Sequence, residues 1–157
     1  MNAMADAVWI VGAGAIGQYL AARLAAVVDV TLVSRGDRTS ALRERGITIS
    51  GRDSVQAHVA VVAAEERPTV PPGALVLVTT KITQLEGALG SVTLSPGATV
   101  ALCQNGLGIP AVAAPHAVGA TLVRVACWFG VSQVGPTEVA LAGMFQLELG
   151  ADGPTAT

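Results

Sequence analysis

The 157-residue sequence predicts an α/β fold in which helices cover both faces of a doubly wound, mainly parallel sheet. Hydrophobic residues make up 52% of the chain and charged residues only 13%, so most segments are expected to be buried. Short β-branched runs alternate with helix-compatible segments. The first run, Val8–Val11, leads into a glycine-rich turn and then into a helical segment over residues 18–27. This length suits one core rather than two.

The glycine-rich turn has the spacing Gly12-x-Gly14-x-x-Gly17. Because a strand precedes it and a helix follows, the spacing indicates a dinucleotide-binding fingerprint; the alternative is an ordinary glycine-rich turn. Gly12 would allow the tight turn, Gly14 would let the backbone approach a pyrophosphate, and Gly17 would let the helix pack close to the sheet. The unpaired N–H groups at the helix start, around Ala15 and Ile16, would face the phosphates.

The next elements continue the alternation. A second strand is expected over residues 28–33, and a second helix over residues 38–45 with Asp37 as its N-cap and Gly46 as its stop. Later elements are predicted by apolar runs between turn signals. They are strands over residues 47–50, 54–62, 74–80 and 99–103, and helices over residues 83–89 and 111–118.

The last β-rich region, residues 121–149, is expected to form an antiparallel meander on the edge of the sheet. The whole pattern predicts a Rossmann-type fold, mainly parallel with an antiparallel C-terminal edge. We expect this domain to occupy residues 1–150. Residues 151–157 have the composition of a linker and are expected to begin one.

Composition excludes several function classes. A net charge of −2 and a pI near 5.6 argue against a nucleic-acid partner or an anionic membrane surface. No apolar run reaches the ~18 residues of a spanning helix, so no membrane partner is expected. Cys103 and Cys127 lie in apolar runs without metal-ligand spacing, which predicts reduced thiols, no metal site and a cytoplasmic location.

Ligands of open α/β sheets bind outside the carboxyl ends of the strands. An NAD site usually places an acid about 20 residues beyond the fingerprint, but Ser34 and Arg35 occupy that position. Arg35 can hold a 2′-phosphate bidentately and Ser34 can add a hydrogen bond, so the pattern favours NADP(H). Asp37 could instead face the ribose; we interpret it as the helix cap. The alternative for Arg35 is a solvated loop arginine.

Two later strand ends carry further candidates. Lys81 follows a buried strand, where its ammonium can hydrogen-bond ribose hydroxyls or a substrate carbonyl. Its alternative is a solvated lysine. Asn105, with Gly106, supplies an amide at the next strand end, although Asn-Gly is also a common turn pair. From the residues alone, both interpretations of Asn105 stay open.

Taken together, these motifs resemble those of the ketopantoate reductase (2-dehydropantoate 2-reductase) family. The resemblance rests on Val-Gly-Ala-Gly-Ala-Ile-Gly at residues 11–17, Val-Ser-Arg-Gly at 33–36, Leu-Val-Leu-Val-Thr-Thr-Lys at 75–81, Gln-Asn-Gly-Leu-Gly at 104–108 and Gly-Val-Ser-Gln-Val-Gly-Pro at 130–136. The paired Lys and Asn-Gly motifs are more specific than the glycines.

The resemblance implies an oxidoreductase that uses NADPH to reduce the small 2-oxo acid 2-dehydropantoate to pantoate, in pantothenate and coenzyme A biosynthesis. It also implies that Lys81 and Asn105 are catalytic, at the nicotinamide ribose and the substrate, and that Arg35 lies at the 2′-phosphate. The cofactor-binding residues would then be Gly12, Gly14, Ala15, Ile16, Gly17, Ser34, Arg35, Lys81, Asn105 and Gly106.

Two departures from the family pattern limit these expectations. Val27-Val28 stands where the family usually has a glycine, and the family's helical C-terminal domain, with its general-acid lysine, is expected to be absent. We therefore expect nucleotide binding with little or no turnover, and a homodimer through the face that the second domain would cover. The alternatives are the NADP-binding domain of a related oxo-acid dehydrogenase and a non-catalytic dinucleotide-binding module.

Overall fold

The structure, a computed structural model, describes residues 7–143 and 146–150, so the linker predicted at residues 151–157 lies outside the described residues. Strands and helices alternate up to β3, and two further strands follow it: β1 Val8–Val11, α1 Ala15–Leu24, β2 Val30–Ser34, α2 Asp37–Arg45, β3 Ile47–Gly51, β4 Val55–Ala57 and β5 Ala60–Ala63. The remainder comprises β6 Thr69–Val70, β7 Leu75–Val78, α3 Leu85–Gly90, β8 Thr93–Leu94, β9 Thr99–Leu102, α4 Ile109–Ala113, β10 Thr121–Cys127, β11 Val131–Gly135, β12 Glu138–Leu141 and β13 Leu147–Gly150. Short 3-10 turns lie at Ala64–Glu66, Ile82–Gln84 and Ala114–His116.

The main sheet has the strand order β13-β10-β9-β7-β1-β2-β5. All its neighbours are parallel except β10 and β13, which pair antiparallel with Cys127 opposite Leu147. The predicted Rossmann-type fold with an antiparallel C-terminal edge is therefore confirmed. Because β1 lies between β2 and β7, the ends of these three strands meet at one edge of the sheet.

Helices and a second sheet cover the main sheet on its two faces. Alternate residues of each central strand point to opposite cores, as Ile10 and Val11 do. Leu20 of α1 packs in the same core as Ile10, whereas Leu85 and Leu89 of α3 pack with Val11. This two-sided burial explains why the strand segments are almost continuously apolar.

The predicted antiparallel meander over residues 121–149 is wrong in part, because β11 and β12 leave the main sheet. They form a second sheet with the order β11-β12-β3-β4. Ile49 of β3 and Val139 of β12 are buried against the core that contains α1, so this sheet covers a helix face that the meander would have left bare. Residues 54–62, predicted as one strand, are divided between β4 of this sheet and β5 of the main one.

Several element boundaries differ from the prediction. Helix α1 begins at Ala15 rather than at residue 18, and β7 ends at Val78 rather than at residue 80. Asp37 is not the N-cap of α2: Gly36 occupies that position, and Asp37 is the first helical residue. Gly36 has φ 57°, which glycine adopts without the strain that a Cβ would add. None of the helices in the described part of the chain is both long and apolar enough to span a membrane.

Candidate nucleotide-binding site

A cleft of about 610 Å³ opens at the edge of the sheet where β1, β2 and β7 end. Seven of the ten predicted cofactor-binding residues line it, namely Gly12, Gly14, Ala15, Ile16, Ser34, Arg35 and Lys81. Arg38, Thr79, Thr80 and Val131, among others, complete the wall. Parallel pairing of β1 with both neighbours therefore brings three separate sequence motifs onto one surface.

The three glycines of the fingerprint occupy distinct positions. A Cβ on Gly17 would lie 1.8 Å from the carbonyl oxygen of Gly12, so only glycine lets α1 approach the loop this closely. Gly12 has φ 115° and a Cβ there would lie 2.7 Å from Thr80 Cγ2. A Cβ on Gly14 would meet no atom within 4 Å, because Gly14 faces the open cleft. Gly17 itself lies beneath the loop, outside the lining.

Side chains of α1, α2 and the segment that follows β7 donate hydrogen bonds to the loop carbonyls. Arg38 donates a hydrogen bond to the carbonyl of Ala13 (2.7 Å), and so does the buried Gln18 carboxamide (2.9 Å). Thr79 Oγ1 donates to the carbonyl of Gly12 (2.8 Å). By helix geometry, the first N–H groups of α1 have no intrahelical partner, and the positive end of the helix dipole lies behind them. The loop is thus built to receive an anion.

A carboxylate that the sequence analysis missed lies at the end of β2. The Gly36 amide donates a hydrogen bond to Oε1 of Glu65 (3.1 Å). Glu65's own backbone amide, that of Gly36 and the nearby Arg35 charge hold the pKa of the Glu65 carboxyl below its usual value. Glu65 follows β5, which pairs with β2 so that Ala63 lies opposite Ser34. The acid therefore lies at the end of β2 although it follows the neighbouring strand in the sequence.

Ser34 and Arg35 differ in their surroundings. Ser34 is buried, lines the cleft, and its Oγ has no hydrogen-bond partner within the described structure. Arg35 is exposed at the rim. A buried hydroxyl without a partner is costly, so a ligand that bonds Ser34 Oγ would recover that cost.

The turn that carries Lys81 is fastened to the next strand. The buried Gln104 carboxamide donates to the carbonyls of Val78 and Thr80, both at 3.0 Å. Lys81 itself is exposed, lines the cleft and precedes the turn Ile82–Gln84. Sequence analysis included Gln104 in a motif without assigning it a role.

Asn105 and Gly106 do not join the cleft. Both are exposed and neither contributes to its lining, while the Gly106 carbonyl accepts a hydrogen bond from Arg124 (2.8 Å). Gly106 has φ 121°, a conformation in keeping with the turn interpretation of Asn-Gly. Their part in cofactor or substrate binding stays a prediction.

The residues present fit a dinucleotide. The wall is open above Gly14, where a Cβ would fill the space that the backbone needs for close approach to phosphate. Free helix amides lie beside it, and the orphaned Ser34 hydroxyl lies at the end of β2. These features follow the general layout of dinucleotide sites, with the diphosphate at the helix N-terminus and the adenosine ribose at the second strand.

Comparison with known proteins shows the family of the chain. The family model described as ketopantoate reductase PanE/ApbA matches residues 8–153. The 2-dehydropantoate 2-reductase of Pyrococcus abyssi is 34% identical over 102 residues, which cover 64% of this chain and 33% of the relative. That of Pyrococcus horikoshii is 35% identical over 106 residues, with the same coverage.

Solved structures of dehydrogenases and reductases share the fold of this chain. A ketopantoate reductase of the PanE/ApbA family from Ralstonia eutropha superposes with a TM-score of 0.80 at 25% identity, covering 91% of this chain and 48% of that one. D-mandelate dehydrogenase, solved with NADH and anilino(oxo)acetate, superposes with a TM-score of 0.84 over 95% of this chain and 49% of that one, but at 22% identity it shows the fold alone. The matched part of the chain covers about half the length of these structures and a third of the length of the curated relatives. It belongs to the ketopantoate reductase family.

Proposed function

We propose that this chain is the cofactor-binding part of an NADPH-dependent 2-dehydropantoate 2-reductase, a cytoplasmic enzyme of pantothenate biosynthesis. One observation carries the proposal: the cleft unites the amide-lined glycine loop, Ser34 with Arg35, and Lys81 on one wall. The family match over residues 8–153 and the names of the Pyrococcus relatives support the activity.

Each group in the cleft then has a task. The amides of α1 hold the diphosphate, and Ser34 and Arg35 bind the 2′-phosphate by charge-assisted hydrogen bonds. Lys81 orients the nicotinamide ribose and the substrate carbonyl, and Asn105, which lies outside the cleft, keeps the role that the family resemblance implies. When bound, NADPH supplies the hydride for reduction of the ketone, and a proton is delivered to the developing alkoxide. The contribution of this chain is binding and orientation.

The chain alone is expected to turn over slowly or not at all. Its relatives are about twice as long in the matched comparisons, so the substrate-binding and proton-donating groups are assigned to the part of the protein that the match does not cover. We also propose association as a homodimer. Trp128, 62% exposed, and Leu149, 76% exposed, supply apolar surface at the β13 edge of the sheet. Light scattering that shows only monomer at high concentration would contradict the dimer.

A second candidate has a specific observation in its favour. The Glu65 carboxylate lies at the Gly36 amide, close to where NAD sites carry an acid for the ribose hydroxyls. This arrangement favours an NADH-dependent reductase of another 2-oxo acid.

A non-catalytic dinucleotide module is the third possibility. The placement of Lys81 in the cleft favours an enzyme over such a module, since a sensor has no need of a hydride-site lysine.

Titration of the chain with NADPH and with NADH, followed by nucleotide fluorescence, tests the proposal. We expect a clear preference for NADPH that weakens in Arg35→Ala. Equal binding, or tighter binding of NADH, would instead favour the second candidate. Loss of affinity in Gly14→Ala but not in Lys81→Ala or Asn105→Ala would favour the module. If NADPH is preferred, turnover of 2-dehydropantoate by the full-length protein tests the substrate.

A further inference from the structure

Arg38 connects the two motifs between which an adenosine ribose would lie. It is the second residue of α2, half-buried, and it lines the cleft. Its guanidinium reaches across to the glycine loop and donates to the carbonyl of Ala13 over 2.7 Å. In dinucleotide folds, the adenosine ribose lies between the glycine loop and the end of the second strand, whereas the diphosphate lies at the N-terminus of the first helix. Arg38 thus spans the ribose position.

The hydrogen bond to Ala13 leaves most of the guanidinium available. A guanidinium carries five N–H donors in a planar fork, and one nitrogen of Arg38 is engaged with the carbonyl. This bond immobilises the side chain, so little rotamer entropy remains to be lost when a phosphate binds. Arg35, by contrast, is exposed and makes no hydrogen bond within the described structure that would hold it in place.

The charges around the two arginines also differ. Ion pairs within the described residues join Arg23 to Asp53 and Arg43 to Glu66, so the charge of Arg38 is not neutralised by a carboxylate. The charge of Arg35 acts on Glu65, whose carboxylate is fixed at the Gly36 amide. A 2′-phosphate at Arg35 would therefore compete with the Glu65 carboxylate for the arginine charge. A 2′-phosphate at Arg38 would meet no such competition.

We propose that Arg38 is the main 2′-phosphate-binding cation of this site and the residue that sets its preference for NADPH over NADH. This assignment rests on the proposed NADP(H) function and deepens it. The buried Ser34 hydroxyl, which has no partner within the described structure, supplies a hydrogen bond from an uncharged donor, and Arg35 adds a weaker, screened contribution. The Ala13 carbonyl positions Arg38 for this task.

Binding of four nucleotides tests the assignment: NADPH, NADH, adenosine 2′,5′-bisphosphate and 5′-AMP. In Arg38→Ala, we expect the affinities for NADPH and the 2′,5′-bisphosphate to fall by about tenfold to a hundredfold, as for loss of a charge-assisted hydrogen bond. The affinities for NADH and 5′-AMP should stay within about threefold, on the order of the context dependence of such contacts. Arg35→Ala should have the smaller effect. Arg45→Ala is the matched control, because Arg45 is an exposed arginine of the same helix that does not line the cleft.

Because the Ala13 contact also supports the loop, thermal unfolding of each variant is measured alongside binding. Arg38→Lys keeps the positive charge but lacks the planar guanidinium. If Arg38→Ala does not fold, the nucleotide affinities of Arg38→Lys test the assignment instead. It should bind NADH normally and lose part of the preference for NADPH. An equal loss of NADPH and NADH, or no loss, in a folded Arg38 variant would overturn the assignment alone. A wild-type chain that prefers NADH, or that binds neither nucleotide, would overturn the proposed cofactor and this assignment together.

Discussion

Gly17 lies directly beneath the carbonyl of Gly12, so close that a Cβ on residue 17 would stand 1.8 Å from that oxygen. The same Cβ would lie 2.7 Å from Thr79 Oγ1, which itself donates to the Gly12 carbonyl. Strand β1, helix α1 and the end of β7 are thus packed together at one point. Because the nearest clash is with backbone, no side-chain movement can relieve it.

We expect Gly17→Ala to lower the free energy of unfolding by about 3 kcal/mol or more, as overpacking against fixed backbone does. Urea unfolding measures this change. Gly14→Ala is the matched control: its Cβ meets nothing within 4 Å, so the variant should stay within about 0.5 kcal/mol of the wild type. It should nevertheless lose nucleotide affinity, because the new methyl group enters the cleft. Equal stability of the two variants would contradict this account of the loop.

Gln104→Glu should destabilise the turn that carries Lys81. The substitution replaces a donor to the carbonyls of Val78 and Thr80 with a buried carboxylate that faces both oxygens. We expect a loss of about 2 kcal/mol or more at neutral pH.

The effect should depend on pH in a defined direction. Burial beside two carbonyls raises the folded-state pKa of the new carboxyl above its unfolded value. The protein is then penalised when that carboxyl ionises, so stability should recover as the pH falls towards 5 and be lost as it rises. Denaturant unfolding between pH 5 and 8 measures both effects. Gln56→Glu, at an exposed position in β4, is the control; a similar pH profile for the two variants would rule out the proposed clamp.

Tyr19, the sole tyrosine, reports on alkaline stability. Burial, together with the charge of Asp53 and a hydrogen bond to its carboxylate, raises the pKa of Tyr19 above its ordinary value, and Arg23 opposes this shift. A raised folded-state pKa means that the contribution to stability is present below the unfolded pKa of about 10 and is lost as the pH rises through the folded value. Tyrosinate absorbance at 295 nm should therefore appear above pH 10 in the folded protein and earlier in urea. If the titration curves of the folded and the urea-unfolded protein coincide, the burial effect is contradicted. Tyr19→Phe, which has no phenol to ionise, should lose less stability at high pH than the wild type.

The two thiols should differ in reactivity. A hydrogen bond to Cys127 and burial raise the pKa of the Cys103 thiol, whereas Cys127 is only half-buried and its pKa is lowered by the same contact. Since the thiolate is the reactive form, iodoacetamide should label Cys127 in the folded protein well before Cys103. Peptide mass analysis gives the order of labelling. Denatured protein, in which both thiols are accessible, is the control, and preferential labelling of Cys103 in the folded state would contradict the prediction.

Local patterns of the chain account for the strand, glycine loop and helix that begin the fold. Gly12 and Gly17 have the structural roles that their spacing predicts because a tight turn and a close helix crossing depend on a few consecutive residues. The parallel core could be predicted for a similar reason, since strands buried on both faces are continuously apolar. The predicted ends of α1 and β7 differ from those in the structure by two or three residues. Caps and bends depend on side chains outside the apolar pattern that predicts the element.

The class of fold, the position of the glycine loop and the strand ends at which Ser34, Arg35 and Lys81 lie could all be predicted from local patterns in the chain. Three features depend on how distant elements pack: Glu65 accepts from the Gly36 amide, Arg38 and Gln18 donate to the Ala13 carbonyl, and β11 and β12 join a second sheet. Periodicity shows which face of a strand or helix is buried, but not which distant element covers it. Contacts such as that of Arg38 with Ala13 arise only when the elements pack, because packing brings together residues that the chain keeps far apart.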